Sequence, residues 1–271
     1  MAYFLKNSFK KFLFNLSAND SFLYRAFYKF FYKPKKGSLA EVIDLFSKKN
    51  DPVHFLQVGA NDGFFHDPLH KFIRTYHWKG VLLEPQPFVF EKYLKRLHQR
   101  TKDIQTVNAA MSSDDGVRSI YKISFSNSRW ATGLASFNKS AIEEAIDSGH
   151  VERCARRYGE KLPADKRDYI AEEKINCLSP ETLVQRYGLR QIDWLQIDAE
   201  GFDFEIIKMM KIERTKPRVI VYEHSHLSAD DQAACIRHLK DNDYAVADIR
   251  ENTIAMKKPL GEFAHFFQNS L

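Results

Sequence analysis

The sequence predicts an α/β protein built on a mostly parallel β-sheet with helices on both faces. From residue 53 onward, short apolar runs alternate with stretches whose apolar residues recur at helical spacing, and this alternation is typical of a parallel sheet with crossover helices. Five of the runs are followed by small or acidic residues. Because ligands bind beyond the carboxyl ends of the strands in such sheets, these endings also indicate a binding cleft.

The predicted elements follow one another along the chain. Five short apolar runs predict parallel strands over residues 53–58, 81–83, 104–107, 193–197 and 218–222. Helical spacing predicts helices over residues 67–76, 88–99, 203–211 and 229–240. Two final runs cover residues 244–248 and 253–256. The segment between these two runs is too short for a crossover helix, so they predict a closing antiparallel hairpin.

A long insertion, about residues 111–190, separates the third and fourth strands. It includes a predicted strand at residues 118–123 and a stretch rich in serine, asparagine and glycine at residues 124–140. Loops of this length in a compact domain are commonly lids or binding loops, so we expect the insertion to bind the substrate. Trp130 is a candidate for stacking on a sugar ring. It is equally suited to pack as a hydrophobic residue inside the lid.

The composition narrows the class of protein. A chain of 271 residues with 28% charged side chains is long enough to bury a core without disulfides. The three cysteines lie far apart without metal-ligand spacing, which favours a reducing, cytoplasmic setting. Residues 37–271, the expected main domain, contain 33 basic and 34 acidic residues. A nearly neutral domain argues against nucleic acid as a partner, because such domains carry a basic face.

The basic excess lies in an N-terminal arm, residues 1–36, with eight Lys and Arg residues and a single acid, Asp20. Eight Phe and four Tyr residues are interleaved with them. The pattern predicts two amphipathic helices, about residues 2–16 and 20–32, each too interrupted by charge to span a bilayer, which takes ~20 apolar residues. Such an arm can lie on an anionic membrane surface. It can also cap the domain or the second subunit of a homodimer, and the periodicity does not decide between these roles.

Residues after the five parallel strands are expected to gather at one edge of the sheet. In strand order they are Gly59-Ala60-Asn61-Asp62-Gly63, Glu84-Pro85, Asn108-Ala109, Asp198 with Glu200, and Glu223-His224 with His226 just beyond. The two glycines of the first group allow a tight turn and a close approach of the backbone to a ligand. Five such endings together predict a binding cleft.

The same endings indicate what the cleft binds. Glu84 lies about 20 residues beyond the glycine turn, where a carboxylate can accept hydrogen bonds from ribose hydroxyls. The chain has no Gly-x-Gly-x-x-Gly turn and no Gly-Lys-Ser/Thr motif for phosphates, which disfavours a nicotinamide dehydrogenase. A ribose site without phosphate-binding groups predicts a nucleoside cofactor that lacks a pyrophosphate, and S-adenosylmethionine fits this description.

Five motifs resemble, in order, those of the FkbM-type S-adenosylmethionine-dependent methyltransferases: VGANDG (58–63), LEPQP (83–87), NAAMS (108–112), IDAEGFD (197–203) and YEHSHL (222–227). The resemblance spans about residues 53–256. It implies a class I methyltransferase fold, which is a Rossmann-like seven-stranded sheet with a C-terminal antiparallel hairpin, and S-adenosylmethionine as the methyl donor. Members of the family are associated with O-methylation of sugars and natural products.

The resemblance also implies roles for individual residues. Gly59, Ala60, Asn61, Asp62 and Gly63 would pass under the methionine tail, and Asp198 would lie beside the methyl group. Glu84, followed by Pro85, would hold the ribose, and Asn108 and Ala109 would flank the adenine. Gln57 stands where many class I methyltransferases have an acid, so the partner of the cofactor's ammonium group stays open, with Asp62 as a candidate.

Two catalytic schemes compete for activation of a substrate hydroxyl. In the first, Asp198, Glu223 and His224 bind Mg²⁺ or a similar ion that holds the hydroxyl oxygen. In the second, His224 or His226 is a general base, since histidine titrates near neutral pH. Asp198 and Glu200 complete the set of catalytic candidates, although both acids could instead stabilise the start of the following helix. His226 could equally be a solvated loop residue.

The sequence therefore predicts an O-methyltransferase that acts on a sugar hydroxyl of a glycan or glycolipid. The arm would hold this enzyme at the cytoplasmic face of a membrane. One alternative is an O-methyltransferase of a soluble natural product or small molecule, with the arm as a dimerisation element. A second alternative is a non-catalytic, membrane-associated binding module, which the intact acids at the strand ends disfavour.

Overall fold

A seven-stranded sheet forms the centre of the protein, whose computed structural model describes residues 11–268. Its strands are β1 (His54–Val58), β2 (Lys79–Leu83), β3 (Ile104–Val107), β7 (Trp194–Ile197), β8 (Val219–Glu223), β9 (Tyr244–Ile249) and β10 (Asn252–Lys257), whereas strands 4 to 6 form a second sheet. The order across the central sheet is β3-β2-β1-β7-β8-β10-β9. The first five are mutually parallel, and β10 pairs antiparallel with both β8 and β9. The predicted α/β class with a closing hairpin is confirmed.

Helices cover both faces of this sheet, with bounds Leu39–Lys49, His70–Thr75, Pro180–Tyr187, Asp203–Met209, Ile212–Thr215, Ala229–Asp241 and the 3₁₀ segment Gly261–Phe267. A further helix runs from Pro87–Val89 through a π-helical turn, Phe90–Leu94, to Lys95–His98. All four predicted main-domain helices are present. The helix Leu39–Lys49 was not predicted, although Ser38 caps it by accepting a hydrogen bond from the Glu41 N–H.

Two hydrophobic cores lie on opposite faces of the sheet. The central strands β1, β7 and β8 contribute alternate side chains to each core, for example Leu56 and Ile220 to one and Phe55 and Val221 to the other. Because both faces are covered, these strands are continuous apolar runs rather than alternating ones. The packing fixes the five parallel strands rigidly and thereby fixes where their carboxyl ends meet.

The predicted insertion folds around a second, three-stranded sheet with the order β4-β6-β5. Its strands are β4 (Ala110–Met111), β5 (Gly116–Ile123) and β6 (Ile170–Leu178), and its helical segments are Arg129–Thr132, Lys139–Asp147, His150–Tyr158 and Lys166–Tyr169. The strand predicted at residues 118–123 is part of β5, whereas its partner β6 was not predicted. Residues 124–137, between β5 and the helix Lys139–Asp147, form the segment that we call the lid, which includes the short helix Arg129–Thr132.

The arm packs against the main domain within the described residues. Most of the first predicted arm helix, 2–16, lies outside them, and residues 11–18 are helical. The second appears as Phe22–Ala26 continued by a π-helical turn, Phe27–Phe31. Phe14 and Tyr24 are buried against Phe64 and Leu97. No helix within residues 11–268 is long and apolar enough to cross a membrane.

Candidate active site

Three cavities open at the carboxyl ends of the parallel strands. Cavity 1, about 90 Å³, lies between the strand ends and the lid, and Gly59, Glu84, Ala109, Asp198 and Glu200 are among its lining residues. Cavity 2, about 490 Å³, extends over the ends of β1, β7 and β8 and is lined by Gln57, Ala60, Asp67, Asp198 and Glu223, among others. Cavity 3, about 850 Å³, lies between the glycine turn, the arm and the lid.

The turn after β1 brings the backbone close to the cleft. Gly59 has a φ of +79°, and a Cβ at this position would lie 1.8 Å from the carbonyl oxygen of Asp198. The sequence needs glycine here because no side chain fits between the ends of β1 and β7. Gly63 plays a different part from the predicted one, since it packs under Leu94 and Leu97 and lines none of the three cavities.

Glu84 is positioned as a buried acceptor at the end of β2. Its two carboxylate oxygens accept hydrogen bonds from the backbone N–H groups of Asn61 (2.8 Å) and Gln86 (2.9 Å). Burial nonetheless raises the pKa of Glu84 to about 7, because desolvation disfavours the charged form. Asn108 holds the same turn from β3 by donating to the carbonyl oxygens of Glu84 and Pro85, and it lies outside the three cavity linings.

Asp62, a candidate partner for the cofactor's ammonium group, already has partners in the structure. One carboxylate oxygen accepts from the backbone N–H groups of Phe64 and Phe65, each at 2.8 Å. The other forms an ion pair with Arg129 of the lid at 3.1 Å. Arg129 also donates to the Asn61 side chain at 3.0 Å. It is the only cation among the described residues that line cavity 1, and its contact with the glycine turn was not predicted from the sequence.

Gln57 offers an acceptor that the sequence analysis left without a role. Its amide nitrogen donates to Asp67 at 2.6 Å, while its side-chain oxygen is buried without a hydrogen-bond partner. Both residues line cavity 2. An unpartnered buried acceptor is costly, so this oxygen fits a ligand that donates a hydrogen bond, such as an ammonium group.

Four carboxyl groups crowd the ends of β7 and β8: Asp198, Glu200, Asp203 and Glu223. Desolvation and the neighbouring acids raise the pKa of Glu200 to about 9 and that of Asp198 well above its usual value. Asp198 still borders cavities 1 and 2. Such a cluster favours a positively charged ligand, because a nearby positive charge stabilises the ionised acids.

One member of the cluster is structural. Asp203 is completely buried, and its carboxylate accepts from the backbone N–H groups of Ala199 and Glu223. It therefore ties the turn after β7 to the end of β8. This is the helix-start role that the sequence analysis considered for Asp198 and Glu200, and the structure gives it to their neighbour.

The two candidate histidines occupy different environments. Nε2 of His226 lies 3.3 Å from Glu200 and 3.7 Å from Glu223, and the residue lines cavity 3. His224 does not join this group, because its Nδ1 lies 2.9 Å from the Thr253 hydroxyl on β10. The predicted metal set of Asp198, Glu223 and His224 is therefore not brought together, since the extended end of β8 directs His224 toward the hairpin.

Another three residues present donor atoms to one another. Ligand atoms of Glu200, Glu223 and His226 lie within 4.8 Å of each other, which is the one such group found among the described residues. Exposed groups of acidic residues are common in proteins without a bound ion. Metal dependence thus stays a prediction.

The lid is fastened to three of the strand-end loops. Arg129 reaches the turn after β1, the Thr132 carbonyl accepts from the Gln86 side chain at 2.8 Å, and the Ser136 hydroxyl donates to the Glu200 carbonyl at 3.2 Å. Trp130 donates from its indole nitrogen to Glu160 at 3.1 Å. It also lines cavity 3 together with Phe65, Tyr93 and Tyr158, so the lid separates cavity 1 from an aromatic-rich space.

The seven-stranded sheet with its closing hairpin, the glycine turn after β1 and the buried Glu84 at the end of β2 are the features expected of an S-adenosylmethionine-dependent methyltransferase. The family model described as Methyltransferase FkbM domain matches residues 57–252. The chain belongs to the FkbM methyltransferase family, since this match covers most of its length. The resemblance stated from the five motifs is confirmed, and the family implies S-adenosylmethionine as cofactor and a methyl acceptor as substrate.

Several solved structures are similar to this chain at low sequence identity. Precorrin-6y C5,15-methyltransferase from Geobacter metallireducens is 14% identical, with a TM-score of 0.38, over 84% of this chain and 94% of that one. The O-methyltransferase from Bacillus cereus is 10% identical, with a TM-score of 0.37, over 92% and 91% of the two chains. No curated protein matches the chain.

Proposed function

We propose that this methyltransferase transfers a methyl group to a sugar hydroxyl of a glycan or glycolipid. The observation that carries the proposal is the position of His226 and Glu200. Both residues line cavity 3, and Glu200 also lines cavity 1. A base therefore stands where a nucleoside cleft adjoins a wide aromatic-lined cavity. Sugar rings present flat C–H faces that suit such aromatic walls, and their hydroxyls require a base near neutral pH.

The residues of cavities 1 and 2 fit S-adenosylmethionine. Glu84 would accept hydrogen bonds from the ribose hydroxyls, and Gly59 leaves room for the backbone to approach the ligand. The free oxygen of Gln57, rather than the engaged Asp62, would accept from the ammonium group. Arg129 would bind the carboxylate of the methionine tail. The acids Asp198 and Glu200 suit the positive charge of the sulfonium.

In the proposed reaction, residues of the protein remove the proton of the acceptor hydroxyl. S-adenosylmethionine supplies a methyl group on a positively charged sulfur, so a C–O bond forms as the C–S bond breaks. His226, whose Nε2 lies 3.3 Å from a Glu200 carboxylate oxygen, would accept the hydroxyl proton at Nδ1. Because its pKa is raised to about 9, Glu200 is protonated near neutral pH in the free protein. The positive charge of the sulfonium would favour its ionised form, and Glu200 and Glu223 would then stabilise the imidazolium. The lid would exclude water while it aligns donor and acceptor.

A transfer assay tests the proposal. The full-length protein is incubated with S-adenosylmethionine and a panel of sugars, sugar nucleotides and glycolipids, with small phenols and amines as competing acceptor classes. The expected result is formation of S-adenosylhomocysteine together with a methylated sugar whose modified diol is no longer cleaved by periodate. Transfer only to amines or phenols would overturn the sugar assignment. We expect turnover to be unchanged by EDTA, whereas loss of turnover that Mg²⁺ restores would favour the metal scheme.

The affinity for S-adenosylhomocysteine is expected to rise with pH through about 7, the value to which burial raises the pKa of Glu84. The free protein holds this proton at lower pH, whereas hydrogen bonds from ribose hydroxyls favour the ionised carboxylate, so binding should release a proton. Calorimetric titration in two buffers of different ionisation enthalpy measures the release. Glu84→Gln should weaken binding about tenfold or more and flatten its pH dependence below pH 8. A wild-type affinity that falls with pH would contradict the ribose role.

Arg129→Ala is expected to weaken binding of S-adenosylhomocysteine by about 10- to 100-fold, the range for losing a hydrogen bond to a charged group. Methylthioadenosine, which shares the nucleoside and lacks the amino-acid tail, should bind the variant and the wild type about equally. Calorimetry with both ligands makes the comparison. An equal loss for both ligands would show that Arg129 acts through the lid rather than on the carboxylate.

A further inference from the structure

The exposed apolar side chains of this protein are concentrated on the arm. Six of the nine large hydrophobic residues that are exposed in the described part of the chain belong to it: Phe12, Phe22, Leu23, Phe27, Phe30 and Phe31. Phe22, Leu23 and Phe31 each keep more than 70% of their surface exposed. Soluble proteins rarely expose contiguous apolar patches of this kind without a binding role.

Two neighbouring faces of the arm have different uses. Tyr24, Tyr28 and Tyr32 recur at helical spacing and pack on the main domain, where the Tyr24 hydroxyl lies 2.7 Å from Nε2 of His70 and Tyr32 meets Phe72. Leu23, Phe27 and Phe31 lie one residue earlier and form the adjacent, outward stripe. Because the tyrosines, together with the buried Phe14, dock the arm, the outward stripe is not needed to hold it.

Positive charge surrounds the outward stripe. Lys29, Lys33, Lys35 and Lys36 are all exposed, and none of them forms an ion pair within residues 11–268. The single acid of the arm, Asp20, is paired with Arg74 at 3.1 Å. The surface therefore combines exposed aromatic rings with uncompensated ammonium groups.

We propose that this outward face of the arm binds an anionic lipid bilayer, with the aromatic rings at the acyl boundary and the lysines at the headgroups. Interfacial helices combine these two side-chain types because apolar burial and attraction to anionic lipids add together. A second copy of this chain fits less well. A symmetric contact through this face would bring the same four lysines of both copies together, which costs free energy.

The bound orientation also relates to the cavities. Lys11 lines cavity 3, and Tyr32 and Lys35 line cavity 2. Phe14 contacts Tyr93 of the cavity 3 wall, with ring centroids 6.0 Å apart. The arm thus borders two openings of the active site, and a bilayer on its outer face would adjoin them. That a lipid-linked acceptor enters this way rests on the proposed function, whereas the binding of a bilayer does not.

Vesicle flotation of the full-length protein tests the proposal. We expect flotation with phosphatidylcholine vesicles that contain phosphatidylglycerol and much less with phosphatidylcholine alone. Phe27→Ser/Phe30→Ser/Phe31→Ser and, separately, Lys29→Gln/Lys33→Gln/Lys36→Gln, which leaves the cavity 2 residue Lys35 in place, should each lower the partition coefficient by about tenfold or more. The matched control is Val117→Ser, which removes an exposed apolar residue of β5 (64% exposed) and should float like the wild type.

Calorimetric binding of S-adenosylhomocysteine shows independently that a variant is folded, so a loss of flotation can be assigned to the arm surface rather than to unfolding. A wild-type protein that does not float, or folded arm variants that float unchanged, would overturn the proposal. A solution dimer that the phenylalanine variant alone dissociates, without vesicle binding, would assign the face to a second copy. Loss of flotation with cofactor binding retained supports it, whatever the acceptor assay shows.

Discussion

His226→Gln is expected to lower kcat for methyl transfer by about 10³-fold, within the range for loss of a general base. Glutamine fills a similar volume and can still contact Glu200, but its amide cannot accept a proton. The affinity for S-adenosylhomocysteine should change little, because His226 lines cavity 3 and not the nucleoside cleft. Initial rates with saturating acceptor, together with calorimetry, separate the two effects.

His224→Gln is the matched control for that experiment. His224 lies two residues earlier, is directed toward Thr253 at 2.9 Å, and lines none of the three cavities. Its replacement should leave kcat within about threefold of the wild-type value, far less than loss of a general base. Equal losses in the two variants, or a fully active His226→Gln enzyme, would remove the general-base role. The same set of measurements with Glu200→Gln reports the contribution of the carboxylate partner.

Gly59→Ala is expected to abolish measurable binding of S-adenosylhomocysteine and to lower the free energy of unfolding by about 3–5 kcal/mol. The new Cβ would lie 1.8 Å from the Asp198 carbonyl oxygen, and Gly59 has a φ of +79°. Relief of this clash must separate the ends of β1 and β7, which pair directly. Urea unfolding monitored by tryptophan fluorescence measures the change in stability.

Gly159→Ala isolates the clash from the backbone strain. Gly159 has a similar φ of +68°, yet a Cβ there would meet nothing within 4 Å. It ends the helix His150–Tyr158, so alanine should cost about 1 kcal/mol, from strain alone. If the two variants lost equal stability and both still bound S-adenosylhomocysteine, the close contact of Gly59 with the Asp198 carbonyl would be unimportant for stability and for ligand binding.

The strand ends illustrate what could be predicted from the sequence. Glu84 and Asp198 follow apolar runs that are too short for helices, and parallel strands place their carboxyl ends at one edge. Periodicity and short connections therefore sufficed to predict that these residues share a cleft. The pairing of β1 with β7, separated by more than a hundred residues of chain, confirms that expectation.

The partners across the cleft could not be predicted in this way. Arg129 reaches Asp62 from the insertion, and no periodic pattern in the sequence fixes how such an insertion folds back. The signal that would have singled it out is its solitary positive charge in a lid rich in small polar residues. The sequence also could not show that His226, rather than His224, lies beside Glu200 and Glu223. The direction of a side chain after a strand depends on how the loop turns.

The α/β class, the order of the main strands and helices along the chain, the closing hairpin and the family could all be predicted from the sequence. These properties follow from local apolar periodicity and from short motifs at strand ends, which act within a few residues. Long-range packing sets which acids crowd together, brings Glu200 and Glu223 to His226, and makes the arm dock through its tyrosines and Phe14 while its other described phenylalanines stay exposed. Those outcomes depend on contacts between residues distant in the chain, where desolvation and packing determine which polar groups are paired and which are left free to bind a ligand.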